Sequence, residues 1–364
     1  MLFEENDTGY SVVGYSGDIA QVNIPRQYRG KSVTYIVSGA FRDNKTITSM
    51  VIPSSVSDVA DDILEGCNNL TSLTLPHISD YSLGSIFGGY YSSDSSTVVP
   101  ATLRTLVISG GDTIASNAFA YCANIQTISI PYTITRIGTN SFYGCTSLSN
   151  IILPVTITDI GDGAFGWCEG LTNVYYGGNI AAWCQINFSN YSSNPMSCAN
   201  SLFVTNTNEE YERVTELVIP DEITEVKAYA FYGCNEISSI IVPNQVISIG
   251  KAAFGYCDSL YSLTIPFIGN NAQATNSYFG FIFGANEYQD NNEFVPKSLR
   301  VVNITSATEL GAYSFYACRG LTRIELPNTL KTIGDGAFMD CTAISSITIP
   351  ESVETIKSTA FLRC

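Results

Sequence analysis

A segment of 14 residues that recurs six times constrains the fold of this chain more than any other feature. Each copy holds a small residue, Phe, two variable residues, Cys, two variable residues, Leu or Ile, two variable residues, and an apolar–variable–apolar–Pro ending. Consecutive Phe residues lie 23 positions apart, as in Phe119, Phe142 and Phe165. Such a period is typical of chains that stack one small unit many times. The copies occupy 118–131, 141–154, 230–243, 253–266, 314–327 and 337–350.

Two short apolar runs in each unit predict strands rather than helices. One run ends the segment, and the other precedes an Ile-Gly pair, as in TITRIGTN and TITDIGDG. Both are rich in Ile, Val and Thr, which favour strands, and the Pro after the first run ends its strand. One unit cannot bury its own apolar face, so we expect stacking. The sequence predicts a mainly β, right-handed solenoid with parallel ladders, short turns and about 14 coils, roughly 65–70 Å long.

Three inserts interrupt the predicted rungs of the solenoid. Insert A is 77–100, insert B is 177–214 and insert C is 267–296. Inserts A and C both contain Ile-Phe-Gly and close with Val-Pro, which indicates two copies of one module. Inserts in repeat proteins often emerge on the binding face. The rung strands are expected at 22–24, 50–52, 73–75, 106–108, 128–130, 151–153, 174–176, near 200–205, 217–219, 240–242, 263–265, 302–304, 324–326 and 347–349.

The repeat resembles the BspA-type leucine-rich repeat of bacterial and protist surface proteins. The columns that carry the resemblance are Ile-Gly-x-x-Ala-Phe-x-x-Cys-x-x-Leu-x-x-Ile-x-Ile-Pro, and they extend from about residue 20 to residue 364. The resemblance implies a curved leucine-rich repeat solenoid used for adhesion or protein binding. The predicted domain is a single solenoid over 1–364. Its residues 1–40 form the N-terminal coils, and 360–364 begin a further, truncated repeat.

Aromatic residues concentrate in inserts A and C and supply most of the candidate binding residues. Tyrosine gives a large contact area at a low entropy cost, which favours it in interfaces. The alternative is that an aromatic residue packs each loop against the solenoid. We expect this packing role for Phe87 and Phe283 of the two Ile-Phe-Gly sequences. Tyr81 also lies in insert A. The candidates in the inserts are Tyr90, Tyr91, Tyr278, Phe281 and Tyr288.

A sixth candidate, Tyr175, belongs to the outward face of the first strand of each unit. Side chains alternate between the two faces of a strand, and the outward positions form a long, nearly uncharged row of Ser, Thr and Val. This face is either a flat protein-binding surface or a solvated sheet face chosen for strand propensity. The sequence leaves both interpretations open.

Nine of the eleven cysteines occupy the Cys column of the repeat, and Cys184 and Cys198 lie outside it. Asn44 stands at the same column position in an early coil, which favours reduced, stacked side chains over bridges. A disulfide, with Cys184–Cys198 as the best candidate, and a metal site are the alternatives. No Cys-x-x-Cys occurs and His77 is the single histidine, so we expect neither metal nor cofactor.

The charge of the chain excludes several classes of partner. A net charge of −16 disfavours nucleic acid and anionic lipid. No run of 18 apolar residues is present, so no direct membrane insertion is expected. The start of the chain lacks the features of a signal peptide. The expected location is extracellular or at the cell surface if the chain is part of a longer protein, with the cytoplasm as the alternative.

These features predict a non-enzymatic protein-binding module, the repeat region of a cell-surface adhesin that acts as a monomer. Its partner would be an extracellular matrix or surface protein. The alternative is an intracellular or secreted scaffold or effector with one protein client. An enzyme with its site in the inserts is a third hypothesis. The GDGAFG sequence at 161–166 matches a dinucleotide-binding pattern, but it lies in the repeat columns and lacks the βαβ context that such a site needs. We therefore expect no catalytic residues.

Overall fold

The computed structural model describes residues 1–77, 82–272 and 278–364. Tyr81 of insert A lies outside these residues. The chain forms two compact units, Met1–Gly177 and Gly178–Cys364. A single continuous solenoid over 1–364 stays a prediction, as do its handedness and its number of coils.

Short strands build the first unit, together with one helical turn, α1 (Ser95–Val98), and two 3-10 turns, Ser85–Phe87 and Ser92–Asp94. The strands are β1 (Leu2–Asn6), β2 (Gly9–Gly14), β3 (Gln21–Asn23), β4 (Gln27–Tyr28), β5 (Lys31–Ile36), β6 (Ser49–Val51), β7 (Asp58–Val59), β8 (Ser72–Leu75), β9 (Thr105–Ile108), β10 (Thr113–Ile114), β11 (Thr127–Ser129), β12 (Arg136–Ile137), β13 (Asn150–Leu153), β14 (Asp159–Ile160) and β15 (Asn173–Tyr176).

Parallel ladders dominate the first unit. One sheet runs β3-β6-β8-β9-β11, β13 pairs with β15, and the shorter strands β10, β12 and β14 form a second ladder. Equivalent residues pair across the repeat, as in Ser49 with Ser72. Ser72 then pairs with Thr105, so the ladder continues in register across insert A. The N-terminal part adds an antiparallel hairpin of β1 and β2, and β2 pairs in parallel with β5.

The second unit contains two helical turns, α2 (Ile180–Trp183) and α3 (Asn291–Phe294). It also has 3-10 turns at Tyr191–Ser193, Pro195–Ser197, Phe279–Phe283 and Tyr288–Asp290. Its strands are β16 (Asn187–Phe188), β17 (Ser201–Thr205), β18 (Tyr211–Arg213), β19 (Glu216–Val218), β20 (Glu225–Val226), β21 (Ser239–Ile241), β22 (Ser248–Ile249), β23 (Ser262–Ile265), β24 (Val301–Ile304), β25 (Glu309–Leu310), β26 (Arg323–Glu325), β27 (Thr332–Ile333) and β28 (Thr355–Ile356).

A parallel sheet in the order β19-β21-β23-β24-β26 forms the main ladder of the second unit. Ser262 pairs with Val301, so this ladder also continues in register across its insert, insert C. The short strands pair β20 with β22, and β25 with β27 and β28. Insert B contributes α2, β16 and the antiparallel pair β17–β18. The prediction of a mainly β fold with parallel ladders is confirmed.

The core of each unit is a stack of equivalent side chains from successive repeats. Phe119, Phe142 and Phe165 are fully buried. The Phe142 and Phe165 rings are nearly parallel, with centroids 5.1 Å apart. In the second unit the rings of Phe231 and Phe254 stack at 6.1 Å. Each repeat therefore buries its largest apolar side chain against the next repeat, and the strands of one unit share one continuous core.

One predicted rung, 347–349, is wrong. The structure has no strand there, although β26 precedes it by one repeat. Ile324 of β26 is buried, whereas Ile347 is half-buried and Ile349 is exposed. Residues of 322–328 and 346–350 line an open cleft of about 540 Å³ rather than a packed interface. The apolar pattern is present, but without close packing the ladder hydrogen bonds do not form.

Candidate functional site

Insert A presents two adjacent tyrosines to solvent on a fixed turn. Ile86 and Phe87 of its first 3-10 turn are buried and attach the insert to the first unit. Beyond them, Tyr90 is 94% exposed and Tyr91 is 75% exposed. The Asp94 carboxylate accepts hydrogen bonds from the backbone N–H groups of both tyrosines, each at 3.0 Å. The backbone below the two rings is therefore held in place while the rings stay free for contact.

Insert C repeats this backbone arrangement with different side chains. The Asp290 carboxylate accepts from the backbone N–H of Asn286 at 3.0 Å and of Glu287 at 3.3 Å. Asn286 and Glu287 therefore stand where insert A has its two tyrosines. The Ile-Phe-Gly of each insert lies buried against its own unit, so Phe87 and Phe283 pack inward as the alternative interpretation expects.

The three candidates of insert C are half-buried and contact other residues of the second unit. The Tyr278 hydroxyl donates to the Asn286 carbonyl at 2.5 Å, and burial raises the pKa of Tyr278. Its ring meets Phe281 edge-on at 6.1 Å. The Tyr288 ring stacks on Tyr313, with centroids 4.5 Å apart. Part of each side chain thus packs the insert, and only the remainder is accessible. Their role in binding stays a prediction.

Tyr175 lies on β15 and is also half-buried. It pairs with Ile152 of β13, which is exposed. Beside them the Asn173 side-chain NH₂ donates to the side-chain amide oxygen (Oδ1) of Asn150 at 2.7 Å. The outward face of these two strands is therefore uncharged and carries two large side chains. Tyr175 stays a predicted binding residue on this face.

The structure shows a set of exposed aromatic residues that the sequence interpretation missed. The two variable positions between Phe and Cys hold one aromatic and one small residue in most repeats. Where the aromatic residue comes second, as in Tyr121, Trp167 and Tyr256, the backbone is left-handed, with φ of 60°, 58° and 54°. Trp167 is 64% exposed and Tyr256 is 58% exposed. The alternation of ring and small residue is visible in the sequence and could have identified this set.

Neighbouring repeats interleave these rings. The Tyr121 and Tyr143 centroids are 5.4 Å apart, and those of Tyr232 and Tyr256 are 5.2 Å apart. A Cβ on Gly255 would lie 2.7 Å from the Tyr232 ring. The small residue of one repeat therefore makes room for the aromatic residue of the preceding one, which explains the alternation.

Most cysteines of the repeat column are buried, and several of them are hydrogen-bond donors rather than reactive groups. In several repeats the thiol donates to the carbonyl of the Phe 26 residues earlier, for example Cys145 to Phe119 at 3.2 Å and Cys168 to Phe142 at 3.1 Å. Burial raises the pKa of Cys257 to about 12. Cys184 and Cys198 do not form a disulfide in the structure. Thiols held neutral in this way are poor nucleophiles and poor metal ligands.

Two further properties of the described residues bear on function. No group of three or more His, Cys, Asp or Glu side chains among them is arranged to hold a metal ion. Within the same part of the chain, no helix has the length and apolar character needed to cross a membrane.

Stacked parallel strands at a 23-residue period, with one buried apolar column per repeat, define a leucine-rich repeat protein. The sequence profile of the BspA type leucine rich repeat region matches 14–106, 112–208, 205–281 and 287–364. The chain belongs to the BspA-type leucine-rich repeat family. Proteins of this class generally bind other proteins, and the family is typically non-enzymatic.

Solved structures of bacterial leucine-rich repeat proteins are similar to this chain. A leucine rich cell surface protein from Faecalibacterium prausnitzii A2-165 is 22% identical, with 98% of this chain and 92% of that chain covered and a TM-score of 0.38. A leucine-rich repeat protein from Bacteroides ovatus ATCC 8483 is 18% identical over 100% and 90%, with a TM-score of 0.46. The leucine rich repeat protein of T. pallidum is 20% identical over 71% and 87%, with a TM-score of 0.30. No curated protein matches this chain.

Proposed function

We propose that this chain is the protein-binding repeat region of a cell-surface adhesin, and that Tyr90 and Tyr91 of insert A contact the partner. The partner would be an extracellular matrix or surface protein. The observation that carries the proposal is the exposure of two adjacent tyrosines on a turn that Asp94 holds from below. A preorganised aromatic pair loses little conformational entropy when it is buried in an interface.

Family membership supports the same function. BspA-like leucine-rich repeat proteins are typically found at the cell surface. Burial raises the pKa of the Cys145 and Cys257 thiols, so these two cysteines of the repeat column are poor nucleophiles. Tyr175 in the first unit and the half-buried Tyr278, Phe281 and Tyr288 in the second unit would each add contact area on their own unit.

Direct binding of the purified chain to immobilised fibronectin, fibrinogen, laminin and collagen tests the proposal. The double variant Tyr90→Ser, Tyr91→Ser should bind its partner about tenfold more weakly, since loss of interface tyrosines typically costs this much or more. Tyr132→Ser is the matched control, because Tyr132 is an exposed tyrosine of the same unit outside the inserts. Unchanged affinity of the double variant would contradict the assignment of these residues. Absence of binding to every protein in the panel would contradict the adhesin proposal.

A scaffold or effector with one protein client is the second candidate function. The observation that favours it is that the cysteines, most of them buried, form no disulfides, which suits a reducing compartment. Protease treatment of intact producing cells distinguishes the two functions. Digestion of the chain on intact cells supports the adhesin, whereas digestion only after lysis supports an intracellular protein.

A further inference from the structure

A cavity of about 150 Å³ opens beside insert C in the second unit. One wall is the exposed ring of Tyr256 with the neighbouring carboxylate of Asp258. The other wall is α3 and the residues after it, which contribute Glu293, Phe294, Pro296 and Lys297. The function proposed above makes no use of this cavity, which we call the Tyr256 pocket.

Buried hydrogen bonds fix the walls of the Tyr256 pocket. Asn291, the first residue of α3, is fully buried and accepts from the Gly280 N–H at 2.8 Å. Its side-chain NH₂ donates to the carbonyls of Ser314 and Tyr316, both at 3.2 Å. Across the pocket the Tyr256 ring packs against Tyr232. The cavity is therefore preformed, and a ligand would not have to order its walls.

The residues of the pocket suit a planar cation. A guanidinium group stacks on an aromatic ring and donates paired hydrogen bonds to carboxylates. Tyr256 offers the ring, and Asp258 and Glu293 offer exposed carboxylates. The one cation in the lining, Lys297, donates to the Asn292 carbonyl. A cavity of about 150 Å³ holds a molecule the size of benzene, and a guanidinium group has fewer heavy atoms than benzene.

Comparison with insert A shows that the module does not need these side chains to fold. The two inserts share the same turns, the same aspartate cap and the same Val-Pro ending. The positions that correspond to Tyr256, Asp258 and Glu293 in insert A and the coil before it carry neither an aromatic ring nor a charge. They are, in order, Gly66, Asn68 and Thr97, and Ala101 corresponds to Lys297.

The backbone conformation at Tyr256 suits glycine as well as the aromatic residue present. Its φ of 54° is left-handed, and glycine occupies the same column position in other repeats, as at Gly144 and Gly233. A tyrosine is less favourable than glycine in this conformation. Its ring packs against Tyr232 and is more than half exposed, so part of the ring is accessible to a ligand.

We propose that the Tyr256 pocket receives an arginine side chain from a basic segment of the protein partner. This proposal rests on the proposed function, since it specifies the partner as a protein with an exposed basic segment. The net charge of −16 attracts such a segment over long range, and the pocket provides the specific contact.

Binding of fluorescently labelled hexa-arginine to the full chain tests the proposal at physiological salt. Tyr256→Gly should weaken binding about tenfold by removing the stacking surface. This variant keeps the fold because glycine favours the local backbone conformation. Trp167→Gly is the matched control, since Trp167 is an exposed aromatic residue at the same column position with φ of 58°. It should leave the affinity within about twofold of the original.

A second pair of variants separates the pocket from general attraction to an acidic protein. Asp258→Asn with Glu293→Gln should weaken hexa-arginine binding, while Asp162→Asn with Glu169→Gln removes the same charge elsewhere and should not. Hexa-lysine should bind more weakly than hexa-arginine, because an ammonium group cannot stack and bond in pairs.

The proposal would be overturned if each variant in the pocket lowered the affinity for hexa-arginine no more than its matched control does. It would also be overturned if hexa-lysine or uncharged hexa-glutamine bound as tightly as hexa-arginine. These results are independent of the matrix-protein panel. If the Tyr90→Ser, Tyr91→Ser variant binds the matrix proteins normally while Tyr256→Gly weakens hexa-arginine binding, only the proposed function is contradicted. If the double variant binds the matrix proteins more weakly while Tyr256→Gly leaves hexa-arginine binding unchanged, only the arginine pocket is contradicted.

Discussion

At the scale of single residues, the Cys column shows how one position satisfies two requirements. The thiol fills space in the core, and in several repeats it donates to the carbonyl of a Phe one repeat earlier, as Cys257 does to Phe231 at 3.3 Å. Asn44, at the same column position, instead accepts from the N–H groups of Thr46 and Ile47. Both side chains are small and form hydrogen bonds in a tight turn, which explains why the column accepts either.

The Cys257 thiol should make stability depend on pH above 9. Burial raises its folded-state pKa from 9.0 to about 12, so the folded chain retains a proton that the unfolded chain releases. Stability is therefore unaffected below pH 9 and falls from pH 9 to 12, by about 1.4 kcal/mol per pH unit for one thiol. Cys257→Ala should make the decline shallower by that amount. Urea unfolding at several pH values, with a non-thiol reductant present, measures it.

Cys198→Ala is the control for this prediction, because Cys198 is only partly buried and lies outside the column. An unchanged slope in Cys257→Ala, or an equal change in Cys198→Ala, would contradict the assignment of this pH dependence to the buried Cys257 thiol.

Gly161 of the Ile-Gly column should tolerate no larger residue. A Cβ there would lie 2.6 Å from the Thr139 nitrogen of the neighbouring coil, so the backbone of one coil would have to move. Gly161→Ala should lower the free energy of unfolding by about 1–3 kcal/mol through overpacking, measured by chemical denaturation. Gly177→Ala is the control, since its Cβ would meet backbone atoms at an ordinary 3.4 Å. Equal stability of the two variants would contradict the close approach of the coils.

At the scale of elements, inserts A and C share a backbone arrangement but differ in how well their buried polar groups are hydrogen-bonded. Asn291 of insert C makes three buried hydrogen bonds. Ser95 stands at the corresponding position in insert A, where its shorter side chain reaches none of these partners. Its buried hydroxyl has no hydrogen-bond partner of ordinary geometry, although the Cys122 thiol lies close enough to interact with it. Insert A therefore has fewer hydrogen bonds at this buried position than insert C has.

Ser95→Asn, which introduces the asparagine that insert C has at this position, should stabilise insert A. In Ser95→Asn the longer side chain can reach the Gly84 N–H and the carbonyls of Ala118 and Ala120, the counterparts of the Asn291 partners. We expect a gain of about 1 kcal/mol, measured as the free energy of unfolding and as slower amide hydrogen exchange at Tyr90 and Tyr91. Ser93→Asn, on the exposed side of the same turn, is the control. A loss of stability in Ser95→Asn would show that the site is too small for the amide.

At the scale of the whole molecule, uneven charge is the dominant electrostatic property. The chain carries 33 acidic and 17 basic residues. Most ion pairs among the described residues, such as Lys331 with Glu354, lie at the exposed surface, where such pairs contribute little. Repulsion between carboxylates therefore outweighs these attractions at low salt.

Salt should stabilise the chain for this reason. Raising NaCl from 10 to 150 mM shortens the screening length to about 8 Å and should raise the melting temperature by about 2–5 °C. Scanning calorimetry measures the shift, and choline chloride should act in the same way if screening is the cause. A fall in melting temperature with salt would show that the surface ion pairs contribute more than the repulsion costs.

The sequence determined the repeat because each period must bury the same face. The Phe and Cys columns, the Ile-Gly corners and the Pro stops predict the position of almost every rung without reference to distant contacts. The same regularity predicts that inserts A and C are one module, and the spacing of 33 and 39 residues between paired strands agrees with the register seen. Only the rung at 347–349 fails, since packing on the neighbouring coil rather than the apolar pattern decides whether ladder bonds form.

Tertiary structure alone decided which aromatic residues are accessible. The sequence marks Tyr90, Tyr278 and Tyr288 equally as insert tyrosines, but Tyr90 is exposed while the other two pack within the second unit. Tyr256 occupies a position that varies between repeats. Its pocket exists because α3, which is distant in sequence, forms the opposite wall. Periodicity reports which side chains the repeated core needs. It does not report where an insert folds back, because that depends on contacts made once in the molecule.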